Sequence, residues 1–138
     1  MKRADFYIII NTESGKKPVK VCGYMFEKFG HWFTVRRRNP KVPNDERYAK
    51  WIISDFVTGI IMTSTESRLE NVRYALPECR IVKLLGFYDG RDIYGGRTNK
   101  ETLQSYADMI HAAMFKDNPK SKMLDLHTSQ AGNLYKCG

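Results

Sequence analysis

The sequence predicts a small α+β domain in which an antiparallel sheet of about five strands carries two amphipathic helices. Segments rich in aromatic and β-branched residues alternate with turn residues as far as Met62, as is typical of strands joined by hairpins. The links between these segments are too short for the crossovers that parallel strands need. Apolar residues at helical spacing then predict the two helices.

Turn residues mark where each predicted strand ends. The first three strands are joined by short glycine-containing turns and are expected to form an antiparallel meander. The last two flank a Thr58-Gly59 turn. The predicted strands are residues 5–11, 19–26, 31–38, 50–55 and 60–62.

Capping residues predict where both helices begin. Thr63 with Glu66, and Thr98 with Glu101, have the spacing of a capping box, in which two side chains satisfy free backbone amides. Pro77 is expected to end the first helix, because the residue before a proline disfavours helical geometry.

Two later segments have weaker patterns. The apolar run at residues 81–87 is favoured as a strand, since a turn-rich loop follows it. Residues 120–138 have little periodicity and are predicted to be a loosely attached C-terminal extension. The chain is therefore expected to form a single α+β domain over residues 1–119, followed by that extension.

The chain of 138 residues has a formal net charge of +8, which is unevenly distributed. Residues 1–50 contain 12 basic and 5 acidic residues, whereas residues 51–138 contain 11 and 10. A basic surface attracts polyanions or acidic protein faces. We therefore expect an acidic partner, a nucleic acid or a nucleoprotein complex.

Residues for common catalytic chemistry do not occur in the patterns that such chemistry needs. The three cysteines are widely spaced and form neither a disulfide framework nor a zinc motif. The glycines match no phosphate-binding motif, and the three histidines fall on separate predicted elements. The sequence thus predicts a protein that is not an enzyme, with no catalytic residue, metal or cofactor. No apolar stretch reaches the length of a membrane span, so we expect a cytoplasmic location in the host cell.

The main candidate site is a basic and aromatic surface on the third strand and the loop after it. Arginine binds phosphate in a bidentate manner, and exposed aromatic rings stack on bases. Alternation along the strand would place Trp32, Arg36 and Arg38 on one face, with Tyr24 opposite on the neighbouring strand. In an alternative interpretation, Trp32 is a core residue and the arginines are a solvated strand end. The predicted nucleic-acid or partner contacts are Trp32, Arg36, Arg37, Arg38, Lys41, Arg47 and Lys50.

A second candidate site is the glycine-rich loop at residues 88–97. Its tyrosines and arginines are residue types that anchor protein interfaces. Residues 95–97 also precede a predicted helix, where backbone amides can hold an anion. The candidates in this loop are Tyr88, Arg91, Tyr94 and Arg97.

The stretch from Trp51 to Met62, with the Thr/Ser-rich cap and helix after it, resembles a pattern in small accessory proteins of phages and conjugative elements. That pattern is an aromatic–x–aliphatic–[ST]–Asp strand, a Thr-Gly turn, a short strand and a helix. The resemblance covers about 25 residues. Anti-CRISPR proteins of that setting are similar in size and in their lack of catalytic motifs. The resemblance implies a non-enzymatic protein of a mobile element.

Three functional hypotheses follow. In the first, the protein docks through its basic surface on a host nucleic acid or nucleoprotein complex and inhibits or regulates it, as an anti-CRISPR-like protein would. In the second, it is a protein–protein inhibitor that makes no nucleic-acid contact. In the third, it is an enzyme that binds or processes a nucleotide at the Gly95–Arg97 loop.

Overall fold

The computed structural model describes residues 1–37, 50–88 and 100–131. Within them, five antiparallel strands form one sheet in which each strand pairs with its neighbour in sequence. The predicted α+β class and the predicted meander are therefore confirmed. The strands are β1 (Lys2–Thr12), β2 (Gly15–Lys28), β3 (His31–Arg37), β4 (Trp51–Asp55) and β5 (Ile61–Thr65).

The described residues form four α-helices, two more than the sequence predicts. A 3-10 turn at Leu69–Asn71 leads into the short first helix. The longest helix contacts β1, β2 and the last helix, and the first helix contacts β5. The helices are α1 (Val72–Ala75), α2 (Glu78–Tyr88), α3 (Lys100–Asp117) and α4 (Lys122–Gln130).

The first predicted capping box does not form. Thr63 and Thr65 lie in β5, which extends beyond its predicted end. The hydroxyl of Thr65 accepts a hydrogen bond from the Ser67 amide at 3.1 Å, so it caps a local turn instead of a helix. Leu76 has extended backbone angles before Pro77, as the proline requires, and this ends α1 after a single turn.

The strand predicted at residues 81–87 is wrong, because these residues belong to α2. The amides of Arg80 and Ile81 both donate to the carbonyl of Pro77, so the proline starts this helix as well as ending the one before it. Ile81, Leu84 and Tyr88 are buried, and their spacing is that of a helix face. The apolar run is too short for its periodicity to separate the two possibilities.

The C-terminal segment packs on the domain as far as it is described. Ser121 caps α4, with its hydroxyl accepting from the Met123 amide at 3.1 Å. Leu124 and His127 of α4 are buried, and so is Ala131. Residues 122–131 thus pack against the core through one helix face, instead of forming the loose attachment that their weak periodicity suggests.

The turn between β2 and β3 holds a phenylalanine in an unfavourable conformation. Phe29 has φ of 55° and Gly30 has φ of 76°, so both residues of this two-residue loop have the positive φ of a type I′ turn. Glycine or asparagine adopts that geometry readily, but a bulky side chain does not. The Phe29 side chain is also exposed.

Phe29→Asn is therefore expected to raise the free energy of unfolding by about 1 kcal/mol, measured by urea denaturation. Phe29→Ala is the matched control, because alanine removes the exposed ring but keeps the strain of a Cβ at positive φ. An equal gain in both variants would assign the effect to the ring instead of the backbone.

Candidate nucleic-acid interface

The structure divides the predicted basic surface between two faces of the sheet. Arg36 and Arg37 are consecutive residues of β3 and therefore point to opposite faces. Arg36 is partly buried, whereas Arg37 is exposed, and Lys50 is exposed just before β4. Arg38, Lys41 and Arg47 lie outside the described residues.

Trp32 belongs to a different surface from Arg37. It is partly buried, and its backbone amide donates to the Gln130 side chain at 3.1 Å. It lines a cleft of about 520 Å³ together with Met25 and Tyr74. The predicted position of Tyr24 opposite Trp32 is wrong, since the register pairs Tyr24 with Val35.

Tyr88 is not an exposed anchor. It is buried, and its hydroxyl donates to Oδ2 of Asp55 at 2.7 Å. The prediction that Tyr88 binds a partner is therefore corrected: the residue ties α2 to β4. Arg91, Tyr94 and Arg97, with the Gly95–Arg97 loop, lie outside the described residues.

Two arginines and two aromatic residues from four strands do come together on the other face. Arg3 of β1 pairs with Tyr24 of β2, and Arg37 of β3 pairs with Trp51 of β4. Directly paired residues of an antiparallel sheet point to the same side. Here they line a recess of about 410 Å³, which we call the arginine–aromatic cleft. It is lined by Arg3, Cys22, Gly23, Tyr24, Arg37, Trp51 and Leu69.

The sheet holds the aromatic floor of this cleft in place. Trp51 is only 8% exposed, and its ring lies edge to face with that of Tyr24 at a centroid distance of 6.2 Å. The guanidinium carbon of Arg37 lies 5.5 Å from the Trp51 ring centroid, within the range of a cation–π interaction. Arg37 therefore rests on a fixed aromatic surface.

Neither cleft arginine has a carboxylate partner among the described residues. Nη2 of Arg3 lies 3.9 Å from the Cys22 sulfur, and this hydrogen bond is the main cause that raises the pKa of Arg3. Asp5, opposite Cys22 in the register, raises it least. The cleft thus presents two guanidinium charges to solvent.

Two other basic residues in the first third of the chain, Lys20 and Lys28, have intramolecular partners. Lys20 forms an ion pair with Asp117 at 2.9 Å. Lys28 donates to the carbonyl oxygens of Arg73 and Leu76 at the end of α1, at 3.0 and 3.1 Å. These two ammonium groups are therefore less available to an external anion than the cleft arginines.

A second cluster of titratable groups is buried around Asp55. Its Oδ1 lies 2.6 Å from Nε2 of His31, and its Oδ2 accepts from the hydroxyls of Thr58 and Tyr88, both at 2.7 Å. Burial alone would raise the pKa of Asp55. The charge and hydrogen bond of His31, with the two hydroxyls, outweigh this effect and hold the pKa below its usual value.

This buried network holds secondary structure together. Asp55 is fully buried and His31 nearly so. Neither residue lines the arginine–aromatic cleft or the Trp32 cleft. The network instead joins β3, β4 and α2 through one carboxylate.

Arg3 and Trp51 were not among the predicted site residues, and Tyr24 was expected on the same face as Trp32. The hairpins contain enough information to place Arg3 and Tyr24 together. Two-residue loops at 13–14 and 29–30 fix the register, which puts Arg3 opposite Tyr24. The pairing of β3 with β4 follows a segment of 13 residues between the two strands, so no turn rule predicts that Arg37 meets Trp51.

Comparison with known proteins finds no match among family models, curated proteins or solved structures. Within residues 1–37, 50–88 and 100–131, no helix has the length and apolar character to cross a bilayer. The same residues contain no group of three His, Cys, Asp or Glu side chains that could hold a metal ion.

Proposed function

We propose that this protein is a non-enzymatic nucleic-acid-binding protein that docks on a nucleic acid, free or within a nucleoprotein complex, and thereby inhibits or regulates it. The observation that supports the proposal most is the pairing of Arg37 with Trp51, beside Arg3 and Tyr24, in one cleft without a described carboxylate partner.

The chemistry of the cleft favours a nucleic acid over other anions. Guanidinium groups form bidentate hydrogen bonds with phosphate. Aromatic residues beside them provide surfaces for bases, which a simple anion site does not need. The net charge of +8 adds long-range attraction for a polyanion.

Alanine substitution of both cleft arginines tests this proposal. We expect Arg3→Ala/Arg37→Ala to bind a labelled single-stranded oligonucleotide more weakly in fluorescence anisotropy. The slope of log affinity against log salt should fall by about 0.7 for each arginine that contacts a phosphate of the single strand. Lys83→Ala/Lys116→Ala is the control, because it removes two exposed charges from helices away from the cleft.

Comparison of the two double variants distinguishes the effect of charge in the cleft from the effect of the protein's net charge. Equal loss of affinity in both would show that net charge alone attracts the oligonucleotide and would contradict a specific cleft. A wild-type protein that binds no oligonucleotide at low salt would contradict the proposed function itself.

The second candidate function is protein–protein inhibition, which the Trp32 cleft favours. Tyr74, which lines this cleft, is 75% exposed. Exposed aromatic residues of this kind often anchor protein interfaces. Capture of partners from a host extract, with and without nuclease, distinguishes the two functions. A partner retained after nuclease treatment but lost in Tyr74→Ala would favour protein–protein inhibition.

A further inference from the structure

We infer that the arginine–aromatic cleft binds unpaired nucleotides, with a base stacked on the outer side of the Arg37 guanidinium and a backbone phosphate bound by Arg3. This inference rests on the proposed function and specifies its ligand as single-stranded nucleic acid.

Arg37 lies between an aromatic ring and solvent. Its guanidinium carbon is 5.5 Å from the centroid of the Trp51 ring, and the residue is exposed. A guanidinium plane can stack on an aromatic ring, and single-stranded bases stack on such planes. Because Trp51 is buried and Arg37 is exposed, a base can stack on the side of the guanidinium that faces away from Trp51.

The size of the cleft also suits a single nucleotide. Its volume of about 410 Å³ is that of a small-ligand pocket, recessed between side chains of adjacent strands. A base within a duplex is paired and covered by its neighbours, so its face cannot stack on the Arg37 guanidinium. Only a base free of its partner presents the face that Arg37 can stack on.

Polar groups lie on both sides of the cleft. Arg3 and Arg37 are two strands apart and offset by two residues along the strands, which corresponds to about 12 Å between their backbones. Both side chains can therefore reach one nucleotide from opposite sides.

Asp5 is the group that opposes this binding. It lies on the same face as Arg3, opposite Cys22 in the register. Its carboxylate would repel a phosphate, so the electrostatic part of the affinity is expected to be moderate. The contribution of base stacking to the affinity is independent of the Asp5 charge.

The test compares ligands that share a backbone and differ in their bases. Anisotropy titrations use a labelled 12-nucleotide oligo-dT, an abasic strand of the same length and a 12-base-pair duplex. We expect the wild-type protein to bind oligo-dT roughly 5- to 150-fold more tightly than the abasic strand, the range for one stacked base. We expect the affinity for the duplex to include no contribution from base stacking, because its bases are paired.

Arg37→Lys assigns the preference to this side chain. Lysine keeps the charge but has no planar group, so the ratio of oligo-dT to abasic affinity should fall towards one while abasic binding changes little. Arg73→Lys is the matched control, since Arg73 lies beside Tyr74 outside the cleft. Thermal denaturation checks that both variants fold.

The outcomes separate this inference from the function on which it rests. Equal wild-type affinity for oligo-dT and the abasic strand would overturn base stacking and leave phosphate binding in place. An unchanged ratio in folded Arg37→Lys would place the base elsewhere and overturn the assignment. Absence of binding to every oligonucleotide would overturn the proposed function as well. The comparison of oligo-dT with the abasic strand uses only the wild-type protein, so it does not depend on the folding of a variant.

Discussion

Asp55→Ala is expected to lower the free energy of unfolding by about 3–5 kcal/mol, measured by urea denaturation. The substitution removes the acceptor shared by His31, Thr58 and Tyr88 and leaves their buried polar groups without it. An unsatisfied buried donor carries its full desolvation penalty. The contacts of β3 and α2 with β4 would weaken together.

Asp108→Ala is the control for this variant. Asp108 is an exposed carboxylate of α3, so its loss should change stability by no more than about 0.5 kcal/mol. Similar small effects in both variants would show that the Asp55 network contributes little to the fold.

The same network predicts how stability depends on pH. The folded-state pKa of Asp55 is lowered relative to an unfolded value of about 3.9, so its ionised form stabilises the fold above that pH. This contribution is lost as the pH falls through the folded-state pKa. Stability of the wild-type protein should therefore drop more steeply below about pH 4 than that of Asp55→Asn, which has no carboxyl group to protonate.

Gly23→Ala is expected to lower the free energy of unfolding by about 3 kcal/mol, at the upper end of the range for overpacking. A Cβ at this position would lie 2.2 Å from the Val35 carbonyl oxygen and 3.0 Å from the Phe6 ring. The oxygen belongs to the backbone of β3 and cannot move without disturbing its pairing with β2. Alanine normally favours a strand over glycine, so local propensity predicts the opposite sign.

Gly30→Ala provides the comparison by urea denaturation. Its added Cβ would meet open space, so only the positive φ of 76° opposes the change, at about 1 kcal/mol. Gly23→Ala should be clearly more destabilising. Equal effects would mean that β2 and β3 can separate enough to admit a methyl group.

The strands were predictable because their signals are local. Glycine turns and β-branched runs determine β1, β2 and β3 within a few residues of their observed ends. The helices were less predictable. Thr63-x-x-Glu66 has the spacing of a capping box, yet Thr63 pairs with Ile53 in the sheet, and this tertiary pairing overrides the local preference.

The candidate site was predictable only in part. The sequence indicated an arginine and aromatic surface near β3, and Arg37 is part of the cleft. Its aromatic partner Trp51 is distant in sequence, and the choice between Trp32 and Trp51 depends on which face each residue occupies. Alternation shows which residues of one strand share a face, but it does not show which face of β3 matches which face of β4. That match requires the pairing of the two strands.

The most direct test of the nucleic-acid interface uses the two tryptophan indole N–H signals in a ¹H–¹⁵N NMR titration with oligo-dT, assigned with Trp32→Phe. Trp51 lies in the arginine–aromatic cleft and Trp32 lines the other cleft. Binding as proposed shifts the Trp51 signal and leaves that of Trp32 in place. A shift of the Trp32 signal alone, or of neither signal at saturating oligonucleotide, would contradict it.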